Sequence, residues 1–186
     1  MSVPNQTLGI IHGDIKPNNI LITKEPDRDK ISVMLTDFGL SRFATTAAPY
    51  VELPRTEPWE APEWSNVKVS VPDAMKMDIY SLGLLCLWLF FGLVTLDKWN
   101  LPQSRLHSAF SAIDDEAFRR FQYEKRTGNE VLNLARHFIE SHTNLDMRTA
   151  SRLQKLFELS LEADHLKRTS DIEQIVQIIS DEHNAL

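Results

Sequence analysis

The amino-acid sequence predicts an α+β fold that is mainly α-helical, with a small β-hairpin near its start. Two short β-prone runs flank a polar turn within residues 20–35. Residues 36–74 are rich in Pro, Thr and Ala without a sustained helical period, whereas the apolar spacing from residue 75 onwards is helical. The chain of 186 residues is long enough for one domain with a sizeable core.

The composition narrows the classes of function. Hydrophobic residues make up 42% and charged residues 25% of the chain, as in ordinary globular proteins, and the net charge is −6. Because the sequence has no cluster of Lys and Arg, we expect neither a nucleic-acid partner nor an anionic-membrane surface. The single cysteine, Cys86, lies inside an apolar run, and we interpret it as a small buried side chain.

The sequence predicts neither a signal peptide nor a membrane span. Residues 1–14 have no basic leader and no long apolar core. The most apolar run, residues 82–94, is shorter than the ~20 residues that a membrane-spanning helix needs, and it favours a buried core helix. We therefore expect an intracellular protein, cytoplasmic or nuclear, without a membrane partner.

The hairpin is the first predicted element. ILIT at 20–23 and ISVML at 31–35 are β-prone, and the polar KEPDRDK between them is typical of a turn. The segment from 36 to 74 is then predicted to be irregular. Segments of that length within a compact domain are usually functional.

Helices are predicted from residue 75 onwards. A buried helix over 79–93 comes first, and the apolar spacing predicts further helices near 114–124, 130–141 and 148–162. A last helix is predicted to open with the capping-box pattern Ser170-Asp-Ile-Glu173.

The residues that carry chemistry are concentrated in HGDIKPNN, residues 12–19. The Asp14 carboxylate can orient a hydroxyl nucleophile and accept its proton. Lys16, two residues on in an extended loop, points the same way and can offset charge on a transferring phosphoryl group. The amide oxygen of Asn19 can bind a divalent cation and hold the loop in shape. Because phosphoryl transfer depends mainly on positioning and charge neutralisation, this set indicates that reaction.

A second metal ligand follows the hairpin. Asp37-Phe38-Gly39 comes directly after the second β-prone run, and a hairpin brings its two ends together. We therefore expect Asn19 and Asp37 to lie near each other. Their hard oxygen atoms suit Mg²⁺.

Three motifs in order make the sequence resemble the C-terminal lobe of eukaryotic-type protein kinases. HGDIKPNN is similar to the catalytic-loop pattern, DFG to the metal-binding motif, and Ala61-Pro62-Glu63 to the end of the activation segment. HGDIKP, LPRTEPWEAPE and KMDIYSLGLLCLWLFFG particularly resemble a group of fungal kinase-like proteins. The resemblance runs from about residue 7 to about residue 180.

The resemblance implies ATP and Mg²⁺ as cofactors, and Lys16 favours a Ser or Thr hydroxyl of a protein substrate as the acceptor. Asp14 would be the catalytic base, and Asn19 and Asp37 would hold Mg²⁺. Thr56 would contact Asp14 and Lys16. Leu21 would contact adenine, so that the cofactor side of the site would consist of Lys16, Asn19, Leu21 and Asp37.

The resemblance also implies a set of structural contacts. Asp78 would brace the backbone of the catalytic loop, and Arg168 would pair with Glu63. His12 would pack against Phe38 rather than act as a base. The residues with such structural roles are His12, Phe38, Gly39, Glu63, Asp78 and Arg168.

We expect residues 1–186 to be a partial protein kinase domain without its N-lobe. Only eleven residues precede His12 in this sequence, whereas the family places a Gly-rich loop, a strand lysine and a helix glutamate there. We therefore expect this chain alone to bind ATP poorly and to be inactive unless a partner supplies these parts. The expected divisions are a catalytic loop at 10–22, a hairpin at 20–35, an activation segment at 37–63 and a helical subdomain at 75–186.

Three functions stay open at this point. The intact motifs favour a Ser/Thr protein kinase whose true chain is longer. The absent N-lobe favours a non-catalytic kinase-like binding module. His-Gly-Asp followed by an asparagine also occurs in small-molecule phosphotransferases, although these lack the Ala-Pro-Glu motif.

Gly13 bears on regulation, because many kinases carry at this position an arginine that reads an activation-segment phosphate. Thr45, Thr46 and Tyr50 are candidate phosphorylation sites in that segment. Without the arginine, a phosphate there has lost its usual receptor. We hypothesise that the segment is ordered without phosphorylation.

Overall fold

The computed structural model describes residues 7–24, 31–45, 48–98 and 115–180. Most of the predicted turn, residues 25–30, and Thr46 lie outside the described residues. The described elements are β1 (Thr7–Ile11), a 3-10 helix (Pro17–Asn19), β2 (Ile20–Lys24), β3 (Ile31–Leu35), a second 3-10 helix (Phe38–Leu40), β4 (Arg42–Thr45), β5 (Tyr50–Val51), β6 (Val69–Ser70), α1 (Val71–Lys98), α2 (Asp115–Arg126), α3 (Glu130–Ser141), α4 (Met147–Ser160) and α5 (Ile172–Ser180).

Three two-stranded antiparallel sheets organise the N-terminal part of the described chain. β2 pairs with β3 from Ile20 opposite Leu35 to Lys24 opposite Ile31, so the predicted hairpin is present. β1 pairs with β4, and β5 pairs with β6. The prediction that residues 36–74 are irregular was therefore wrong in part, because this segment pairs first with β1 and then with itself.

Helix α1 begins at Val71, before the predicted start of the helical part at residue 75. The Ser70 hydroxyl accepts a hydrogen bond from Asp73 N at 3.3 Å and donates one to the Asp73 carboxylate. Pro72 lies in the first turn, where a missing N–H group leaves no hydrogen bond unmade. This cap starts the helix earlier than the apolar spacing indicates.

Helix α1 is the central element of the core. It is 28 residues long, and its Tyr80 and Leu87 side chains are almost fully buried. By length and composition alone, Val71–Phe91 is apolar enough to cross a membrane, but 56% of its most apolar window is buried inside the protein. That burial agrees with the predicted core helix.

Helices α1 and α4 cross closely at Gly83. A Cβ atom at Gly83 would lie 2.5 Å from Ser160 Oγ and 2.8 Å from Ser160 Cβ, so the crossing has no room for a larger residue. Helices α3 and α5 both pack against α4. The main hydrophobic core therefore lies among α1, α3, α4 and α5, and Phe121 of α2 and Trp59 also belong to it.

The later helices lie close to their predicted positions. α3 has the predicted bounds, and α2 and α4 differ from the prediction only near their ends. The predicted cap of α5 was wrong, because Asp171 rather than Ser170 accepts from Glu173 N, at 3.0 Å. Asp171 N in turn donates to Thr169 Oγ1 at 3.0 Å.

Candidate active site

The Asp14 carboxylate lies at the centre of the candidate site. Asp14 is 4% exposed and follows β1, whose last residue, Ile11, is completely buried. Oδ2 of Asp14 accepts from Lys16 Nζ at 2.8 Å and from Asn19 Nδ2 at 2.9 Å. Oδ1 accepts from Thr56 Oγ1 at 2.8 Å. The three side chains that the sequence placed beside Asp14 therefore converge on one carboxylate.

Asn19 is buried and held through its amide nitrogen. Besides its bond to the Asp14 carboxylate, Nδ2 donates to the backbone oxygen of Asp14 at 2.8 Å. The 3-10 helix Pro17–Asn19, which starts with a proline, sets this position. Because the amide nitrogen faces Asp14, the amide oxygen points away from that carboxylate.

Asp37 lies beside Asn19 across the open end of the hairpin. Thr36 donates to Asn19 O through its backbone N at 2.8 Å and through its hydroxyl at 3.1 Å. Asp37 has a left-handed backbone with φ of 63°, and its carboxylate accepts from Gly39 N at 3.4 Å. The hairpin thus brings the Asn19 and Asp37 positions together, as the sequence predicted.

The chemistry of these two side chains fits Mg²⁺. Asn19 offers an amide oxygen and Asp37 an exposed carboxylate, and Mg²⁺ is usually bound by one or two carboxylates together with substrate phosphates and water. Among the described residues, no group of three or more His, Cys, Asp or Glu side chains is placed to hold a metal. A cation at Asn19 and Asp37 would therefore take its remaining ligands from phosphate and water.

Asp78, on α1, braces the backbone of the loop that carries Asp14. Its carboxylate accepts from His12 N at 2.6 Å and from Gly13 N at 2.9 Å. Burial raises the pKa of Asp78 above its ordinary value of 3.8, while the two N–H groups act in the opposite direction. Gly13 has a φ of 76°, a conformation that an arginine in its place would adopt only with strain.

His12 connects three parts of the site. Its Nε2 lies 3.0 Å from Thr36 O, and its Nδ1 accepts from Asp14 N at 3.3 Å. The ring packs edge-on against Phe38, with 4.9 Å between the ring centroids. These partners assign the proton to Nε2. Both ring nitrogens are therefore occupied, which fits the structural role expected for His12.

The predicted ion pair between Glu63 and Arg168 is present. Nη1 and Nη2 of Arg168 donate to the two carboxylate oxygens of Glu63 at 2.7 and 3.1 Å. The Arg168 side chain is completely buried and also donates to Lys76 O and Glu162 O. Its guanidinium lies 4.7 Å from the centroid of the Tyr80 ring. The pair thus ties Glu63, at the end of the predicted activation segment, to the helical body.

An open cavity of about 450 Å³ adjoins the catalytic loop. The residues that bond to the Asp14 carboxylate line part of it, together with residues 54–57 and Trp59. Leu21 lies on β2, is 46% exposed, and is not among the lining residues; nor is Asp37. The structure therefore does not bring the predicted adenine contact into this cavity.

A buried lysine next to the segment that lines the cavity was not predicted from the sequence. Lys125 on α2 is 1% exposed and donates to Pro58 O at 2.8 Å and to Glu60 O at 2.7 Å. One signal was available, because Lys125 follows the buried Phe121 by four residues and so lies on the same face of a predicted helix.

The chain is similar to known proteins along most of its length. The family model for the protein kinase domain matches residues 6–179. The smooth muscle myosin light chain kinase of Gallus gallus is 32% identical over 143 residues, which is 76% of this chain. A receptor protein kinase-like protein of Arabidopsis thaliana is 38% identical over 109 residues, or 58% of the chain. A dual specificity mitogen-activated protein kinase kinase of Caenorhabditis elegans is 36% identical over 84 residues, or 45%.

The matched stretches are small parts of these relatives. They amount to 7% of the Gallus gallus protein, 12% of the Arabidopsis protein and 18% of the Caenorhabditis protein. The chain therefore spans less than a fifth of the length of the curated relatives that it matches.

Proposed function

The chain belongs to the protein kinase family, and from this premise we propose that it transfers the γ-phosphoryl group of ATP to Ser and Thr hydroxyls of protein substrates. One observation carries the proposal. The buried carboxylate of Asp14 is held at once by Lys16, Asn19 and Thr56. Such fixation supports a catalytic base, because catalysis of phosphoryl transfer is mostly positioning and charge stabilisation.

Asp14 is the proposed base. A carboxylate has about four lone-pair sites, so three bound donors leave one for the hydroxyl of an acceptor. That hydroxyl would donate to Asp14 and lose its proton to it as the new bond between oxygen and phosphorus forms, while the ADP oxygen leaves. Lys16, whose side chain is 29% exposed, lines the cavity and would offset charge on the transferring group.

The nucleotide side of the site is proposed from four residues. Mg²⁺, if held by Asn19 and Asp37, would neutralise phosphate charge. Lys16 would reach the phosphate being transferred, and Leu21, exposed on β2, would contact the adenine ring at the mouth of the site. Because the reaction consumes ATP, we expect the protein to act inside the cell, in the cytoplasm or the nucleus.

The choice of Ser and Thr over Tyr rests on Lys16 and Thr56. Both bond to the Asp14 carboxylate, on opposite oxygens, so they narrow the space beside the base. Three peptides that differ only in carrying Ser, Thr or Tyr would test this choice. We expect phosphate on the Ser and Thr peptides, and equal transfer to Tyr would contradict the proposal.

Replacement of the base tests the proposed reaction. We expect Asp14→Asn to lower the rate of phosphate transfer to a peptide library about 10²- to 10⁴-fold, because the amide cannot accept the hydroxyl proton. The matched control is Glu140→Gln, which removes one carboxylate from the exposed face of α3. The variants should be compared in the natural full-length protein at equal folded concentration. Wild-type rates in Asp14→Asn would overturn the assignment.

We expect the 186 residues by themselves to bind ATP weakly. Their six glycines form no Gly-rich loop, and no strand lysine for the α- and β-phosphates precedes Asp14 in this sequence. A thermal shift assay with Mg-ATP measures this directly. A rise in Tm of several degrees for this stretch alone would contradict the expectation.

One observation favours a second function, that of a kinase-like binding module. The β2–β3 hairpin exposes apolar side chains on both of its strands, and patches of this kind mark protein interaction sites. ATP binding by the natural full-length protein decides between the two functions, because a binding module would show none. The exposed side chains are Leu21, Ile22, Ile31, Val33 and Met34.

A further inference from the structure

Three consecutive carbonyl groups beside the candidate site are each held by a buried side chain from the helical body. Lys125 Nζ donates to Pro58 O at 2.8 Å and to Glu60 O at 2.7 Å. The carbonyl between them, Trp59 O, accepts from Ser81 Oγ on α1 at 2.8 Å. Residues 58–60 are thus fixed by two helices from different parts of the chain.

The segment that Lys125 holds reaches the catalytic carboxylate. Trp59 N and Glu60 N donate to Thr56 O at 2.6 and 3.0 Å, so residues 56–60 form one compact turn. The Thr56 hydroxyl at its start donates to Asp14. Thr56 and Trp59 also line the cavity in which an acceptor would lie. A shift at residues 58–60 would therefore move both a cavity wall and a partner of the base.

The buried contacts of Lys125 are poorly suited to stabilising the fold by themselves. The ammonium group is fully buried and lies 3.4 Å from Glu60 Oε1. Two further buried oxygen atoms, Glu60 Oε2 and Gln122 Oε1, have no hydrogen-bond partner among the described residues. Buried ion pairs of this kind are often matched or surpassed in stability by apolar residues of similar size. The contacts of Lys125 do, however, give the segment a single position.

We propose that Lys125 is a positioning residue for the acceptor substrate, because it fixes residues 56–60 against α2 and thereby sets the wall of the cavity beside Asp14. The inference rests on the proposed function, since it assigns Lys125 to the acceptor side of the same reaction. The nucleotide side, at Asn19 and Asp37, has no contact with Lys125 among the described interactions. The effect of Lys125 is therefore specific to the acceptor.

Steady-state kinetics of Lys125→Met in the natural full-length protein test the proposal. Methionine has a similar length but cannot donate to the two carbonyls. We expect kcat/KM for an acceptor peptide to fall about tenfold while KM for ATP changes less than about twofold. The matched control is Arg126→Met, which removes a positive charge from the neighbouring exposed position of the same helix and should leave both constants unchanged. A lower Tm with unchanged kcat/KM, measured where both variants are folded, would overturn the proposal.

The pH dependence of the unmodified protein is a second readout. Burial lowers the pKa of Lys125 to about 8, against the opposing effect of Glu60 and Glu57. Arg126, on its own helix, also lowers this pKa. Above that pKa the Lys125 amine keeps two N–H donors but loses the charge that strengthens its bonds to Pro58 O and Glu60 O. We therefore expect KM for the acceptor to rise from pH 7 to pH 9 in the wild type and to be flat in Lys125→Met. Parallel profiles in the two proteins would contradict the proposal.

Amide hydrogen exchange separates this inference from the proposed function. We expect residues 53–64 to exchange faster in Lys125→Met than in Arg126→Met, whether or not a substrate is known. If the wild type transfers no phosphate, the proposed function fails, and faster exchange at 53–64 still supports the positioning of that segment. Unchanged exchange there would overturn the inference even in an active enzyme.

Discussion

Asp37 combines an unusual backbone conformation with the proposed metal-binding carboxylate. Its left-handed φ of 63° is tolerated by Asp and Asn better than by other residues with a Cβ, because their short side chains bond locally, here to Gly39 N. We expect Asp37→Asn to leave the free energy of unfolding within about 0.5 kcal/mol of the wild type. The same variant should lose most of the Mg²⁺-dependent affinity for ATP, because a carboxylate charge is gone.

Urea unfolding and ATP titration with and without Mg²⁺ measure the two effects of Asp37→Asn. Asp37→Ala is the companion variant, since alanine lacks the local hydrogen bond and should cost about 1 kcal/mol in stability. If Asp37→Asn kept the full Mg²⁺ dependence, Asp37 would not be a ligand.

Lys125 gives the free energy of unfolding a dependence on pH. Folding lowers the pKa of Lys125 from 10.5 to about 8, chiefly through burial. Between these values the unfolded chain holds a proton that the folded protein has lost, so stability rises with pH and this contribution vanishes as the pH falls through 8. We expect a slope of up to about 1.4 kcal/mol per pH unit from this group.

The difference in unfolding free energy between the wild type and Lys125→Met isolates this contribution. The Cys86 thiol titrates in the same region with the opposite effect, because burial raises its pKa from 9.0 to about 11. Both proteins share that thiol, so it cancels in the difference. A difference that stays constant from pH 8 to pH 10 would show that Lys125 is not the group that titrates.

Contacts between side chains that are close together in the sequence were predictable. Asp14, Lys16 and Asn19 lie within one loop, so their spacing was enough to predict that they converge. Lys125 lies 65 positions from Glu60 and meets it only after the helices have packed. A lysine is almost never fully buried unless it is paired. The residue type therefore predicted that Lys125 is exposed to solvent, and its burial was not expected.

The start of α5 allows a direct comparison of two neighbouring candidate cap residues, Ser170 and Asp171. Asp171 bonds to Glu173 N, whereas the Ser170 side chain makes no such bond among the described residues. We expect Asp171→Ala to lower the free energy of unfolding by about 1 kcal/mol, as loss of an N-cap does. Ser170→Ala, the matched control, should change it by less than about 0.5 kcal/mol. Thermal unfolding of the two variants side by side measures the difference. A larger effect of Ser170→Ala would show that Ser170 is the cap, as the sequence predicted.

The helices were predictable from apolar spacing because each packs one face against another helix: α1, α3 and α5 against α4, and α2 against α3. The short strands β4, β5 and β6 were not predicted, because strands of two to four residues leave too little alternation to detect. The start of α1 was placed too late for a similar reason. Its signal was a polar cap, Ser70 with Asp73, and not a hydrophobic period.

The Glu63–Arg168 pair joins the end of the predicted activation segment to the last part of the helical body. We expect Arg168→Ala to cost roughly 3–5 kcal/mol, because it leaves Glu63 and several carbonyl groups without their buried partner. Chemical denaturation measures this loss. Arg136→Ala is the control, since Arg136 forms an exposed pair with Glu158 at 3.2 Å, and surface pairs contribute less than about 1 kcal/mol. Equal losses in the two variants would mean that burial of the first pair has no effect.

The fold class and the family were predictable because three motifs occur in a fixed order along the chain, with a hairpin between the first two. That combination leaves few alternative folds. The family match over residues 6–179 confirms that part. The absence of an N-lobe stays a prediction, as do Ser/Thr specificity and the need for a partner. Spacing within a sequence reports on which of its own residues meet, and it carries no information on the acceptor or the partner that those residues contact.

The separation of Glu63 and Arg168 in the sequence also determines when their contact forms during protein synthesis. Its two residues lie 105 positions apart, and ribosomes add about 5–20 residues per second, so Arg168 is made about 5–20 s after Glu63. For that interval the Glu63 carboxylate lacks its arginine partner. Glu63 therefore gains its buried partner only after nearly all of the described chain has been made, and this long-range contact forms among the last ones.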